Sequence, residues 1–383
     1  MGILSHAAFL ARLEARAHEL AALRSRGRRV VACVSGHAPH ELVRAAGAIP
    51  VRLLAGGQPA ETRGERWLRS DACAVCLSTV ANLDPAGPAD TFHAQVDAFL
   101  SVNACDLLRR MPESLNRYLQ LPVFELYLPR GSEALPSRLA AFRRELARVA
   151  AEVAAFAGTA FDPERLGREI AAANQVRRRL REFDAGRRAD RPEVSLSDIL
   201  NLVALAGVLE PEAMFKLLSA TGERPEPRTG SRPRPRLMLC GSEIAWQDRW
   251  LVELLEERAD IVTDLLDTAS LWFAEDCVPR RFEADCPEQG DPLDALARHY
   301  YSFPTAVWRR PSDAVFALAR QRAAEARVDG VVLKTLLYCD PWSFESARLK
   351  AALERPFLHI DGTYSSENRE QLRTRVEAFL EEL

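Results

Sequence analysis

The stretch Val331-Val-Leu-Lys-Thr-Leu-Leu-Tyr-Cys-Asp-Pro341 decides how this chain is read. Its apolar opening, rich in β-branched residues, reads as a buried strand, and a helical pattern follows from Pro341 to Leu353. Proline costs nothing at the first position of a helix, and the Asp before it is a good N-cap. The spacing therefore predicts a strand feeding a helix, with Cys339 at the junction. Ala98-Phe-Leu-Ser-Val-Asn-Ala-Cys-Asp106 repeats the design and puts Cys105 at the turn. A third cysteine, Cys73 in Asp71-Ala-Cys-Ala-Val-Cys-Leu-Ser78, lies far from both, so only a folded chain can bring the three thiols together. The partial positive charge of a helix N-terminus favours the thiolate, which is the form that binds metal. Ligands of open α/β sheets also collect beyond the carboxyl ends of the strands.

Working outward, residues 28–34 read as a strand, 39–46 as a short helix closed by Gly47, and 49–54 as a second strand, which makes a βαβ unit. Residues 123–128 add a strand. From 136 to 220 the pattern is helical: 138–157 up to Gly158, a second helix after Asp162-Pro163-Glu164, then 197–206 and 212–220. The run 222–235 is too rich in proline and charge to pack and reads as a linker. Alternation then resumes, with strands at 237–240, 260–265, 328–337 and 357–360, and helices at 246–257, 292–301, 314–326, 343–353 and from 367 to the end. The expected fold class is α/β: two doubly wound, Rossmann- or flavodoxin-like parallel-sheet domains joined by a helical segment. The expected boundaries are 1–135 with a leading helix, 136–230 for the helical region and linker, and 231–383.

A chain of 383 residues, 48% hydrophobic and 27% charged, suits a globular enzyme of two or three domains. A net charge of -3 gives no electrostatic reason to expect nucleic acid. No window reaches the apolar length of a membrane span, and residues 1–23 read as an amphipathic helix, not a signal peptide, so the expected location is cytoplasmic. Eight cysteines in that compartment point to metal binding or buried packing instead of disulfides. Cys73 and Cys76 form Cys-x-x-Cys, which alone would suit a dithiol or half a zinc site, but no second such pair follows. Leu239-Cys-Gly-Ser-Glu243 lacks the spacing of a phosphate loop.

Pro39-His-Glu-Leu-Val-Arg-Ala-Ala-Gly-Ala-Ile-Pro50, the Cys73 segment, Asn103-Ala-Cys-Asp106, Asp329-Gly-Val-Val332, Tyr338-Cys-Asp-Pro341 and Gln371-Leu-Arg-Thr-Arg-Val-Glu-Ala-Phe-Leu-Glu381 occur in order from about residue 28 onward. This ordered set resembles the 2-hydroxyacyl-CoA dehydratase and benzoyl-CoA reductase family. Chain length and Gly56-Gly-Gln58 look most like its smaller, beta-type subunit. The resemblance implies a 4Fe-4S cluster held by Cys73, Cys105 and Cys339. Cys76 is the alternate to Cys73, which is preferred because Ser78 follows it by five residues as the family pattern has it. Three thiolates leave one iron open to water, hydroxide, a serine or a substrate oxygen.

The resemblance further implies a larger homologous subunit in a heterodimer, an ATP-dependent iron-sulfur activator and an acyl-CoA substrate. The subunit would relay a low-potential electron for ketyl-radical elimination of water. The alternatives are a benzoyl-CoA-type reductase subunit and a stand-alone iron-sulfur carrier or reductase.

Ser35, His40 and Glu41 are candidate catalytic residues near the first strand, although His40 stands where relatives often carry an acidic residue. A His at the start of a helix is more often a satisfied surface group. His37 and His359 share that ambiguity. Cys33 and Cys240 read as core, and Cys277 and Cys286 as possible extra ligands of a double-cubane cluster. Phe303-Pro-Thr-Ala306 stands where many relatives carry a cysteine, which argues against that cluster. Arg373 and Arg375 could meet CoA phosphates, but a solvated helix face, or an ion pair with Glu370 or Glu377, is the preferred reading.

Overall fold

Strands that are apolar at nearly every position suit a sheet covered on both faces, and this chain uses them so. The computed structural model describes residues 3–54, 56–86, 92–221, 234–278, 290–303, 307–364 and 369–383. The first part runs α1 (His6–Ser25), β1 (Val30–Cys33), α2 (His40–Ala45), β2 (Ile49–Arg52), α3 (Gln58–Gly64), α4 (Ala74–Leu83), β3 (Ala98–Val102), α5 (Asp106–Leu119) and β4 (Val123–Leu126). Helices α6 (Pro136–Ala157), α7 (Pro163–Ala185), α8 (Leu196–Ala206) and α9 (Pro211–Ala220) follow. The rest comprises β5 (Arg236–Gly241), α10 (Trp250–Arg258), β6 (Asp260–Leu265), α11 (Pro292–Tyr301), α12 (Asp313–Glu325), β7 (Gly330–Leu336), α13 (Asp340–Leu353), β8 (Phe357–Gly362) and α14 (Arg369–Glu381).

Among the described residues the strands form two parallel sheets of four, ordered β2-β1-β3-β4 and β6-β5-β7-β8. The orders are the same once the strands are counted within each half. This is the doubly wound α/β architecture expected from the alternating pattern. Alternate residues of each central strand point into different cores. Val30 and Ala32 of β1, with Leu237 and Leu239 of β5, join one central core that also holds α1, α4, α8 and α10. Val31 and Cys33 face an outer core with α2 and α6. Met238 and Cys240 face a second outer core with α12. Although α11 follows β6 in the chain, it packs on α6 and α7 in the first sheet's outer core.

Helix α7 is tied to both sheets by buried arginines. Arg177 donates to Glu41 of α2 at 2.5 Å, and Arg187, just beyond the helix, reaches Asp264 of β6 at 2.5 Å.

Several sequence expectations need correction. Helix α10 starts at Trp250 and not at 246, because the Trp246 N–H is used in a bond to the Leu54 carbonyl at 2.9 Å and the Arg249 side chain turns to Asn201. Helices α3 and α4 were not expected. The linker at 222–235 lies almost wholly outside the described residues. No described helix is long and apolar enough to cross a membrane.

Candidate functional site

Each of the three cysteines occupies a helix N-cap. After β3 the Asn103 side chain clamps the turn: its Oδ1 accepts from the Leu128 N–H at 2.8 Å, and its amide donates to the Leu128 carbonyl at 3.3 Å. The Cys105 backbone is extended there, and its Sγ accepts the Leu108 N–H at 3.4 Å. In the second sheet the chain leaves β7 through Tyr338, whose φ of 64° is left-handed, and Cys339 caps α13. Cys73 caps α4 with extended backbone.

The expectation that Asp106 and Asp340 are the caps is therefore wrong by one residue. The cap needs non-helical backbone, which the cysteines supply, whereas the acids sit in the first turn, where negative charge still suits the helix N-terminus. Pro341 accordingly sits one position further into its helix.

Cys73, Cys76, Cys105 and Cys339 line one cavity of about 330 Å³, along with Ser35 and Glu243. It opens beyond the carboxyl ends of β1, β3, β5 and β7, the strands at which each sheet reverses its order, so the switch points of both sheets meet at one space. Among the described residues no three His, Cys, Asp or Glu side chains gather closely enough to hold a single metal ion. The thiols stand around the cavity and not at a point.

Burial pushes the Cys105 thiol up to about 12, with the Cys73 charge adding to it. Burial and Glu243 raise Cys339 further, partly offset by the Ser242 hydroxyl. Cys73 goes the other way, lowered chiefly by the adjoining Cys76 thiol and further by the backbone N–H groups of the first turn of α4. Glu243 lies within electrostatic reach of all four sulfurs; burial and the Asp267 charge push its carboxyl up to about 7. Asp267 is itself held by Arg52 at 2.7 Å. A soft thiolate set of this kind suits iron-sulfur clusters or zinc over hard cations.

Of the other candidates, Ser35 lines the cavity, and its Oγ accepts the His37 N–H at 3.2 Å. His37 lies between Phe303 and Trp308, with ring centroids at 4.8 and 5.5 Å, and its Nε2 has no protein partner. His40 and Glu41 do not line the cavity. His40 is buried, correcting its reading as a surface group: its Nε2 lies 3.2 Å from Cys33 Sγ on the far face of β1. Glu41 is also buried, between Arg177 and the Tyr300 hydroxyl, which donates at 2.8 Å.

Cys33 and Cys240 are core residues. Cys277 is buried in the first outer core, away from the cavity, and Cys286 lies outside the described residues. Arg373 pairs with Glu257 at 3.3 Å and Arg375 donates to the His359 carbonyl at 2.8 Å; both lie on an exposed helix face, as expected, but neither pairs with Glu370 or Glu377 in these bonds. His359 bonds Thr335 at 2.8 Å. Glu243 and Asp267 were missed as site residues. For Glu243 a signal existed, since its turn follows the first strand of the second sheet as Ser35 follows the first strand of the first.

A family model described as 2-hydroxyglutaryl-CoA dehydratase, D-component, matches residues 35–383. The chain is 28% identical over 370 residues to YjiM of Escherichia coli (strain K12), itself only proposed to be a dehydratase subunit, with 94% of this chain and 93% of that protein covered. It is 21% identical to the (R)-phenyllactyl-CoA dehydratase beta subunit of Clostridium sporogenes, covering 93% and 92%. It is 22% identical to the beta subunit of (R)-2-hydroxyglutaryl-CoA dehydratase of Acidaminococcus fermentans, covering 95% of each.

Proposed function

The chain belongs to the 2-hydroxyglutaryl-CoA dehydratase D-component family, and on that premise we propose that it is the beta-type subunit of a radical 2-hydroxyacyl-CoA dehydratase, with Cys73, Cys105 and Cys339 holding a 4Fe-4S cluster. The observation that carries this is the convergence of three helix-capping cysteines, from three separate elements, on one cavity at the switch points of both sheets. Such a group, when bound, supplies one-electron transfer at low potential.

The chain's own part is to hold and shield it. The Leu108 N–H and the Ser242 hydroxyl donate toward Cys105 and Cys339, and bonds of this kind set potential along with burial. The lining is largely apolar, with Leu107, Leu336 and Trp342, which lowers the local dielectric around the group. The residues present fit the group: the thiols are soft donors, and the buried ones stay neutral until a cation draws off their protons.

A larger homologous subunit would complete the heterodimer and hold the acyl-CoA, and an ATP-hydrolysing activator would supply the electron. Two relatives carry the words beta subunit in their names, which supports a partner. We place the complex in the cytoplasm, where thiols stay reduced.

The test is iron and acid-labile sulfide after anaerobic purification of the parent and of Cys73→Ala, Cys105→Ala and Cys339→Ala. About four of each per chain, lost in all three variants, is expected. A parent with no iron would sink the reading.

A further inference from the structure

Cys73 and Cys76 differ from the other cavity thiols in touching each other. Their sulfurs are 3.7 Å apart, which is contact distance, against about 2.05 Å in a disulfide. Side chains three residues apart at a helix start have Cβ atoms roughly 5–6 Å apart, wider than the roughly 3.5–4.5 Å a disulfide spans, so the bond requires the Cys73 end to move toward Cys76. Cys73 is the N-cap, with φ −68° and ψ 151°, so its side chain can turn without breaking a helical bond. Cys76 is fully buried in the first turn, while Cys73 is half-buried, and both face the cavity. One thiol is thus accessible and the second waits behind it. Among the described residues, neither Cys105, beside the Leu108 N–H, nor Cys339, beside Ser242, has a second thiol in hydrogen-bond contact.

We infer that in the metal-free chain Cys73 and Cys76 form a reversible disulfide, and that this bond withdraws the first cysteine ligand from the cavity. The oxidant is a small organic disulfide. The Cys73 thiolate attacks one of its sulfurs and expels one thiolate. The Cys76 thiolate then attacks the Cys73 sulfur and expels the other half. The protein dithiol loses two electrons and two protons, and the oxidant takes up both as two thiols. The bond removes the ligand whether Cys73 or Cys76 is the one that binds metal. Disulfide formation stands on geometry alone, whereas its effect on loading rests on the cluster proposed above.

The full chain, stripped of metal by a chelator under argon, reduced and then freed of reductant, is treated with hydroxyethyl disulfide and mapped by mass spectrometry. The peptide spanning Cys73 and Cys76 should lack two hydrogens and carry no mercaptoethanol, and Cys76→Ser should instead keep one mercaptoethanol on Cys73. Mercaptoethanol retained on Cys73 of the parent, or both thiols left free, overturns the inference.

In a second arm the oxidised and reduced parents are given ferrous iron and sulfide. The oxidised chain should lose its iron uptake and regain it after dithiothreitol; equal uptake with the disulfide intact overturns the withdrawal. A reduced chain that takes up iron while no disulfide forms in the other arm defeats this inference and leaves the cluster standing. A disulfide in a chain that takes no iron even when reduced does the reverse.

Discussion

The two sheets share one strand order, yet they contribute unequally to the cavity. Each ends its third strand in a cysteine that caps the next helix, Cys105 before α5 and Cys339 before α13. The remaining thiols come from the first half alone, on α4, in the connection between β2 and β3. The matching connection between β6 and β7 carries no cysteine into the cavity among the described residues; its α11 crosses to the first sheet's outer core. After the first strand of each sheet the contributions also differ, with Ser35 and His37 on one side and Glu243 on the other. A repeated topology supplies equivalent positions, and it is the connections, free to vary, that make the site one-sided.

The ion pairs from α7 test whether the halves are anchored alike. Arg187 is wholly buried with Asp264 and Asp184, and Arg177 is buried with Glu41. Removing one partner leaves an uncompensated buried charge, so Arg187→Ala and Arg177→Ala should each cost about 3–5 kcal/mol. Urea unfolding measures this, and the loss should be greater for Arg187, which leaves the fully buried Asp264 without its cation and Asp184 with Arg188 alone. A loss below about 1 kcal/mol, the worth of a surface pair, for either variant would show that its sheet is not held through α7.

The turns after the first strands offer a sharper contrast. At Gly241 φ is 127°, and an added Cβ would lie 1.8 Å from the Lys334 carbonyl oxygen. At Gly36 the nearest atom is Asp267 Oδ2 at 3.0 Å, on a side chain with some freedom. Gly241→Ala should cost about 3 kcal/mol through strain and overpacking together, and Gly36→Ala about 1 kcal/mol. Thermal unfolding of the two variants side by side checks the order; equal losses would mean that the turns are equally tight.

Much of this architecture was legible because parallel strands, covered on both faces, are continuous apolar runs; β3 lies at 98–102 as expected, and Gly158 stops α6. The cysteines were legible because the strand-to-helix junction repeats. What stayed hidden depends on residues distant in sequence. Lys334 sits inside a fully buried strand because Asp248 neutralises it and the Tyr364 ring covers it. His40 looked exposed at a helix start, but Cys33 and α7 bury it. Helix α4 is buried nearly all round, Ser78 and Thr79 included, so no solvent-facing polar stripe marks its helical period. Asp267 joins the site through Arg52 of the first sheet, a partner 215 residues away in sequence.

The smallest effect expected follows from where the histidines lie. Burial, aided by Arg44, lowers His40 from 6.5 to about 3; burial, aided by Arg177, does the same for His299; and burial lowers His37 to about 4. All three belong to the first half or pack against its outer core. A group whose folded pKa is depressed takes up its proton first in the unfolded chain. Its stabilising effect is complete above pH 6.5 and is lost as pH falls toward the folded value. Stability should therefore decline from about pH 6.5 downward. His40→Gln, which cannot titrate, should flatten that decline by about 1–2 kcal/mol between pH 7.5 and 5, read from urea midpoints across the range. His359 of the second sheet is also lowered by burial, but it is partly exposed, and His359→Gln should change the slope less. If the two variants flatten the curve equally, the acid sensitivity belongs to both sheets and the asymmetry is confined to the cavity.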